Sequence, residues 1–402
     1  MGGPGRAGAG GVCVHSGRVR EKGGTGLDAL VLDGRYAMAL AVVRSLGRAG
    51  LDVAVAESPR HARHGVIAFA SRYCAQRLDM PDADQDPEGF GRWLGTVAAG
   101  RVVIPVALGT VRWFARHRPL WRERVQALVP EPDSLELAAD KARLHLHAAA
   151  LGLPVPQQFT LADAPPFPVI VKYREGEALG LPPDKRYAIV GDRTELERAY
   201  RAFDARQPSP VIQEYLAGPG YGCSAVCDRD GRPLGHFVHQ RLREYPVRGG
   251  PSALAVSVAH APLAAWSLRL LESLHWVGPA MVEWKQDGHG GFRLLEINPR
   301  FWGTLPLAIA AGADFPLMLY RSLVAEPQPP AGYASGVRLR FLLRDFLAAR
   351  ADGVSLPGYL RELRTRPAHE AIYARDDPRP FAQYLGRQLR KLGRQDGTGV
   401  QG

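Results

Sequence analysis

Between residues 281 and 313 the chain reads MVEWKQDGHGGFRLLEINPRFWGTLPLAIAAGA, and this stretch limits the possible folds more than any other. Residues 281–285 and 292–298 alternate apolar and polar side chains. The intervening 286–291 is rich in turn formers, so the pattern predicts a β-hairpin. Side chains alternate along a strand, so Glu296 and Asn298 point the same way. A turn centred between Gly288 and His289 sets Glu283 across from Leu294 and gathers Glu283, Glu296 and Asn298 on one face. A one-residue slip would separate them.

Two carboxylates and an amide oxygen, followed at once by Arg300, form a hard-oxygen set suited to Mg²⁺ with an anion bound opposite. The bland alternative is a charged, solvent-facing strand. Residues 298–303, NPRFWG, are too apolar for an exposed hairpin exit. Thr304 then reads as the N-cap of an apolar helix over 305–311. A helix start beside a carboxylate cluster suggests phosphate held through metal.

In order and spacing, VEW, a turn and LLEINPR resemble the metal-binding signature of the ATP-grasp superfamily. The resemblance covers roughly residues 27–325 and is strongest at 213–216 (QEYL) and 295–300 (LEINPR). Nearest in kind are the stand-alone carboxylate–amine ligase-like ATP-grasp proteins. The fold implied is α/β, becoming α+β in the ATP-binding part. A leader at 1–26 precedes an N-terminal Rossmann-like pre-ATP-grasp domain at 27–130. A two-lobed ATP-grasp domain with antiparallel sheets follows at 131–325, with lobes at 131–212 and 213–325, and then a helical C-terminal extension at 326–402.

At 402 residues the chain is long enough for two or three domains and a large core. Residues 1–26 are Gly-rich with scattered Arg and no apolar segment, which predicts a disordered leader and no membrane insertion. The formal charge of +11 is spread along the chain, not bunched with aromatics. No nucleic-acid partner is expected, and an anionic small ligand accounts for part of the excess. Cys13, Cys74, Cys223 and Cys227 are too irregular for a disulfide framework and read as reduced core residues of a cytoplasmic protein.

Strands at 29–33, 52–56 and 101–105, with helices at 36–49 and 110–116, read as a small parallel α/β unit. Its first turn, Asp33-Gly34-Arg35-Tyr36, offers one glycine where a dinucleotide-binding turn needs three, which argues against a nicotinamide enzyme. After a boundary at 130–132, residues 135–151 read as one helix carrying Asp140 and Lys141. Residues 167–172 read as a buried strand ending in Lys172. ATP-grasp proteins use two lysines in this order for the nucleotide phosphates, so the resemblance assigns that role to Lys141 and Lys172.

The loop at 174–187 should cover the phosphates, but it has only Gly176 and Gly180 and is stiffened by Pro182-Pro183, which weakens a backbone-amide cradle. Lys185 is a candidate substitute. The strand at 210–216 breaks at 217–220; there the resemblance places adenine against Gln213, Glu214, Tyr215 and Leu216, and it assigns Lys285 to the nucleotide as well. Gly220-Tyr-Gly222 stands where many members carry an acidic ribose ligand. Arg241, Arg243 and Arg248 read either as a solvated basic edge or as an anion site. The resemblance puts Arg241 at the transferring phosphate and Arg300 at the acyl phosphate. Residues 263–274 read as an amphipathic helix. Asp376-Asp-Pro378 reads as the cap of a last helix with Phe381, Tyr384, Leu385, Leu389 and Leu392 on one stripe. Arg387, Arg390, Lys391 and Arg394 lie elsewhere on it, complementing the helix C-terminus.

The implied activity is ADP-forming ligation. A small carboxylate attacks Mg-ATP (with Mn²⁺ an alternative ion) to give an acyl phosphate, which an amine, thiol or similar nucleophile then captures. A homodimer is one expected assembly. A small-molecule kinase on the same fold and a non-catalytic ATP-binding protein are the alternatives.

Overall fold

The computed structural model describes residues 28–395 other than 64, 248 and 329–331, with side chains up to residue 388. The leader, Cys13, Arg248 and the tail side chains beyond 388 named above lie outside the described residues.

The chain builds three sheets. In the first, β1 (Ala29–Val31), β2 (Val53–Glu57), β3 (Cys74–Asp79) and β4 (Val102–Ile104) run parallel in the order β3-β2-β1-β4. β1, β2 and β4 are buried end to end, as parallel strands between helices must be. The edge strand β3 was not anticipated: CAQRLD lies largely exposed and carries no apolar run.

The second sheet is antiparallel: β5 (Gln158–Phe159), β6 (Val169–Lys172), β7 (Tyr187–Val190) and β8 (Val211–Glu214), in the order β5-β8-β6-β7. Helix Arg193–Asp204 covers one face through Leu196, against Val169, Val171 and Ile212.

The third sheet comprises β9 (Gly220–Cys227), β10 (Pro233–Glu244), β11 (Ser252–Ser257), β12 (Gly278–Gln286), β13 (Phe292–Asn298), β14 (Arg338–Arg340) and β15 (His369–Glu370). Their order is β13-β12-β9-β10-β11-β14-β15, antiparallel but for the β14–β15 pair. One face packs Cys223, Val238, Val282 and Trp284 against helix Ala261–Ser273, and the Trp284 indole donates to Ser267 Oγ at 2.8 Å. Cys223 and Cys227 are buried and unbridged. Part of the other face is covered by helices Leu305–Ala311, Phe315–Leu323 and Ala37–Arg48 through Phe237, Met281, Trp302 and Phe315. The rest faces the second sheet across a cleft.

Two helical expectations are corrected. Residues 132–150 form two helices, Pro132–Ala139 and Lys141–Ala150, because the Asp140 side chain caps the second by accepting from the Ala142 and Arg143 amides. The cap fixes Lys141 at the first position of a helix. Asp376 and Asp377 do not cap the last helix, Arg379–Gln395. Asp377 is buried and accepts from Arg44 Nε at 2.9 Å and Ser71 Oγ at 2.7 Å, while Asp376 takes Arg48 at 2.9 Å and Tyr73 Oη at 2.7 Å. The tail is thereby fastened to the first helix.

Candidate active site

β12 and β13 form the expected hairpin in an unexpected register. Near the turn Trp284 lies opposite Leu294, but one step on Glu283 lies opposite Glu296, with Leu295 bulged out between them. The turn-end register alone would have separated the acids. The extra residue restores them to one face, with Asn298 across from Met281. The bulge has a partner in His145, whose Nε2 lies 3.0 Å from the Leu295 carbonyl while its Nδ1 accepts from Gln213 Nε2 at 2.8 Å. Burial, with Lys172 adding to it, lowers the His145 pKa to about 4, so the imidazole is neutral.

The acids are already neutralised within the site. Glu283 Oε1 is 2.6 Å from Arg241 Nη2 and accepts from Asn298 Nδ2 at 2.9 Å. Glu296 Oε2 is 2.7 Å from Lys141 Nζ. Burial opposes ionisation of Glu296, yet Lys141 holds its pKa down at about 2. Burial raises the Glu283 pKa against the pull of Arg241, with Glu296 adding to the rise. Arg241 comes from β10, two strands away, and reaches Glu283 over β9. There one cross-sheet row runs His239, Gly222, Glu283, and Gly220 lies across from Lys285. A Cβ on Gly222 would stand 2.4 Å from His239 Cε1, and one on Gly220 would stand 3.1 Å from Arg241 Cδ. The two glycines make a trough for the arms of β10, a physical reason for Gly220-Tyr-Gly222. Thr304 does begin helix Leu305–Ala311, but its side chain does not cap; Oγ1 lies 3.2 Å from His239 Nε2.

Arg243 is not part of the cleft. A second bulge at Leu242 turns it to the other side of β10, where it pairs with Glu362 at 2.6 Å and Asp345 at 3.1 Å. Gln213 also departs from its expected role. It is fully buried, bonded to His145, and off the cleft wall. Its neighbours Glu214, Tyr215 and Leu216 do line the cleft, as Lys141, Lys172 and Lys285 do. Burial, with Lys141 adding to it, lowers the Lys172 pKa to about 8, and among the described residues no carboxylate lies within 4 Å of it.

The loop after β6 replaces glycines with acids. Glu177 grips the Arg300 guanidinium at 2.8 and 2.9 Å, Glu175 pairs with Arg112, and Arg174 with Asp140. Lys185 points to solvent. These groups surround one cavity of about 710 Å³ between the second and third sheets, lined also by Arg35 and Tyr36 of the first unit and by Phe341 and Arg344 after β14. The sequence reading did not single out His145, Glu177, Glu244, His239 or Arg344. A histidine one helical turn after Lys141 and an acid inside a phosphate-side loop were the available signals.

A metal would find two carboxylates and one amide oxygen here, since among the described residues no cluster of three or more His, Cys, Asp or Glu is arranged to hold one. That donor set suits Mg²⁺, which takes one or two carboxylates and completes its shell with phosphate and water oxygens.

Residues 206–342 match the family described as ATP-grasp in the biosynthetic pathway with Ter operon. The chain is 30% identical over 202 residues to a D-alanine–D-alanine ligase of Stutzerimonas stutzeri, covering 44% of this chain and 62% of that one. It is 24% identical over 311 residues to the carbamoyl phosphate synthase large chain of Gemmatimonas aurantiaca, covering 72% of this chain and 25% of that one. It thus spans less than two thirds of either relative. In fold it resembles N5-carboxyaminoimidazole synthetase of Staphylococcus aureus complexed with ADP, with a TM-score of 0.62 at 13% identity over 88% of this chain and 91% of that one. The bulged hairpin, the paired lysines and the cleft between two sheets accompany these likenesses, and the chain is ATP-grasp ligase-like in its matched segment and in its fold.

Proposed function

We propose that the protein is an ATP-dependent ligase that activates a carboxylate as an acyl phosphate and joins it to an amine or similar nucleophile, with release of ADP and phosphate. The observation that carries this reading is the convergence of Glu283, Glu296 and Asn298 with Lys141, Lys172, Arg241 and Arg300 on one cavity. When bound, Mg²⁺ neutralises phosphate oxygens and orients the transferring group. Glu283, Glu296 and the Asn298 amide oxygen would hold it.

The chain's own residues do the rest. Lys141 and Lys172 act as point charges on the phosphates. The Glu214 amide already donates to the Gln157 carbonyl at 3.0 Å, so the Tyr215 and Leu216 amides are the donors that would serve the adenine edge. Arg241 and Arg300 counter the charge that builds on the transferred phosphoryl group. A substrate carboxylate oxygen attacks the γ-phosphorus as its bond to the bridging oxygen breaks, and ADP leaves with the electron pair. The nucleophile then adds to the acyl carbon, loses its proton, and expels phosphate. The first step asks for charge neutralisation, not a proton relay.

The test is incubation with Mg-ATP, a pool of carboxylic acids and hydroxylamine, read by mass spectrometry. A hydroxamate made by the native chain but not by Glu296→Ala supports ligation. ADP with a stable phosphorylated product would move the assignment to a kinase, and nucleotide binding without ADP to a binding protein.

A further inference from the structure

Most cations of the cavity wall already have an acid beside them. Arg241 has Glu283, Arg300 has Glu177, Lys141 has Glu296, Arg112 has Glu175, and Arg35 has Glu57. Lys172, Lys285 and Arg186 lack one, but the two lysines stand at the nucleotide end and Arg186 Nε is engaged by the Leu181 carbonyl at 2.7 Å. Arg344 also lacks one and stands elsewhere. It follows β14 in helix Leu342–Ala351, lines the cavity, and among the described residues has no carboxylate within 4 Å. Its Nη1 donates to the Ser252 carbonyl at 2.9 Å, and its guanidinium lies 4.6 Å from the centre of the Phe341 ring. Tyr384, uncharged at neutral pH, is the ionisable group that faces it.

This leaves a largely desolvated cation whose other donors face a cavity. Burial lowers its pKa, which is the sign of a charge short of compensation. Trp302 lines the cavity as well, packed against Phe301 and Phe315. The Arg344 guanidinium calls for an acceptor-rich, negatively charged ligand atom. Ser252 is on β11, three strands from Glu283 on β12, or ~14 Å at the usual spacing. Arg344 therefore serves the end of the cavity away from the carboxylate pair.

Resting on the ligase reading, we infer that Arg344 binds a second anionic group of the acid substrate, so that the substrate is a dicarboxylate or a phosphorylated acid and not a simple monocarboxylate. The guanidinium fork suits either group, and the ring of Phe341 fixes its plane.

The test uses the full chain, Mg-ATP and hydroxylamine. Dicarboxylates from succinate to adipate are compared with monocarboxylates of equal length, and phosphoglycerate with glycerate. The doubly anionic acid of one pair should be favoured at least tenfold in kcat/KM, and the responding pair distinguishes carboxylate from phosphate. Arg344→Gln should raise KM for that acid at least tenfold and erase the preference, with KM for ATP and kcat little changed, while Arg344→Lys restores part of it. A preference that survives Arg344→Gln, or monocarboxylates used as well as their doubly charged partners, overturns the inference and leaves ligation standing. Should no acid give a hydroxamate, ligation fails, and titration calorimetry of the same probes into the Mg-ADP-loaded chain decides. Binding lost in Arg344→Gln upholds the anion site; absent or unaltered binding removes it.

Discussion

Glu296→Ala should separate chemistry from folding. The substitution removes the Lys141 ion pair, made at 2.7 Å by a carboxylate whose side chain is 32% exposed. Solvent screens such a pair, so its loss costs ~1 kcal/mol. It also removes a like charge directly opposite Glu283, a relief of about 0.2–1 kcal/mol. Glu283 keeps Arg241 and Asn298, while Lys141 loses its acid but borders the open cavity, where water reaches its ammonium. The two effects nearly cancel, and for a chain of this size Tm should move by only about 1–2 °C. The chemistry loses one of the two carboxylates that would hold the metal, and with it charge stabilisation on the order of 3–4 kcal/mol, or about 10²–10³ in rate. Thermal scans of the ligand-free protein give the first quantity. ADP release with acid and hydroxylamine gives the second, and the Mg²⁺-dependent part of ADP affinity offers a check independent of substrate. Turnover within about tenfold of the native rate would refute the metal assignment. A Tm loss beyond about 5 °C would refute the cancellation.

Three further outcomes are expected. Lys172 has a folded pKa of about 8, below its ordinary 10.5, so the unfolded chain holds the extra proton between these values. Stability should then rise with pH across that window while ADP affinity falls; Lys172→Arg, which keeps its charge, should flatten both, and superimposable pH profiles would contradict this. Glu177→Gln removes a carboxylate that competes for Arg300; the pair is worth ~1 kcal/mol after screening, so KM for the acid should drop about fivefold, and an unchanged KM would mean that the substrate does not use that fork. Gly222→Ala should destabilise by ~1–3 kcal/mol by driving a Cβ against the buried His239 ring, measured by thermal unfolding beside Gly303→Ala, whose added Cβ meets nothing within 4 Å. Equal melts would show that the trough is slack.

The hairpin, the strand ending in Lys172 and the opening parallel unit were legible because each is written in local alternation or in an apolar run, whereas Lys141 was singled out by the family resemblance alone. What was not legible depended on irregularity chosen by distant contacts. The bulge at Leu295 answers to His145, on a helix 150 residues earlier, and nothing local announces it. The bulge at Leu242 breaks the alternation that would have kept Arg243 beside Arg241. Gln213 and Glu214 are adjacent on a strand, so only one of them can face the cleft, and the sequence does not say which. Asp140 was read as helix interior, although its side chain competes for backbone amides and so starts a new helix. Asp376 and Asp377 resemble a cap for the same reason, but arginines more than three hundred residues away claim them.

That last pairing bears on the order in which the molecule can be completed during synthesis. Arg44 sits in the first helix with its guanidinium buried, and its acid, Asp377, follows 333 residues later. At ordinary elongation rates the interval is about 17–67 s. Throughout that time Arg44 lacks the counter-charge it has in the finished fold, so the N-terminal unit is completed only after residue 377 is made. Pulse proteolysis of ribosome-bound chains ending on either side of residue 377 would register this as a late gain of protection in the N-terminal unit.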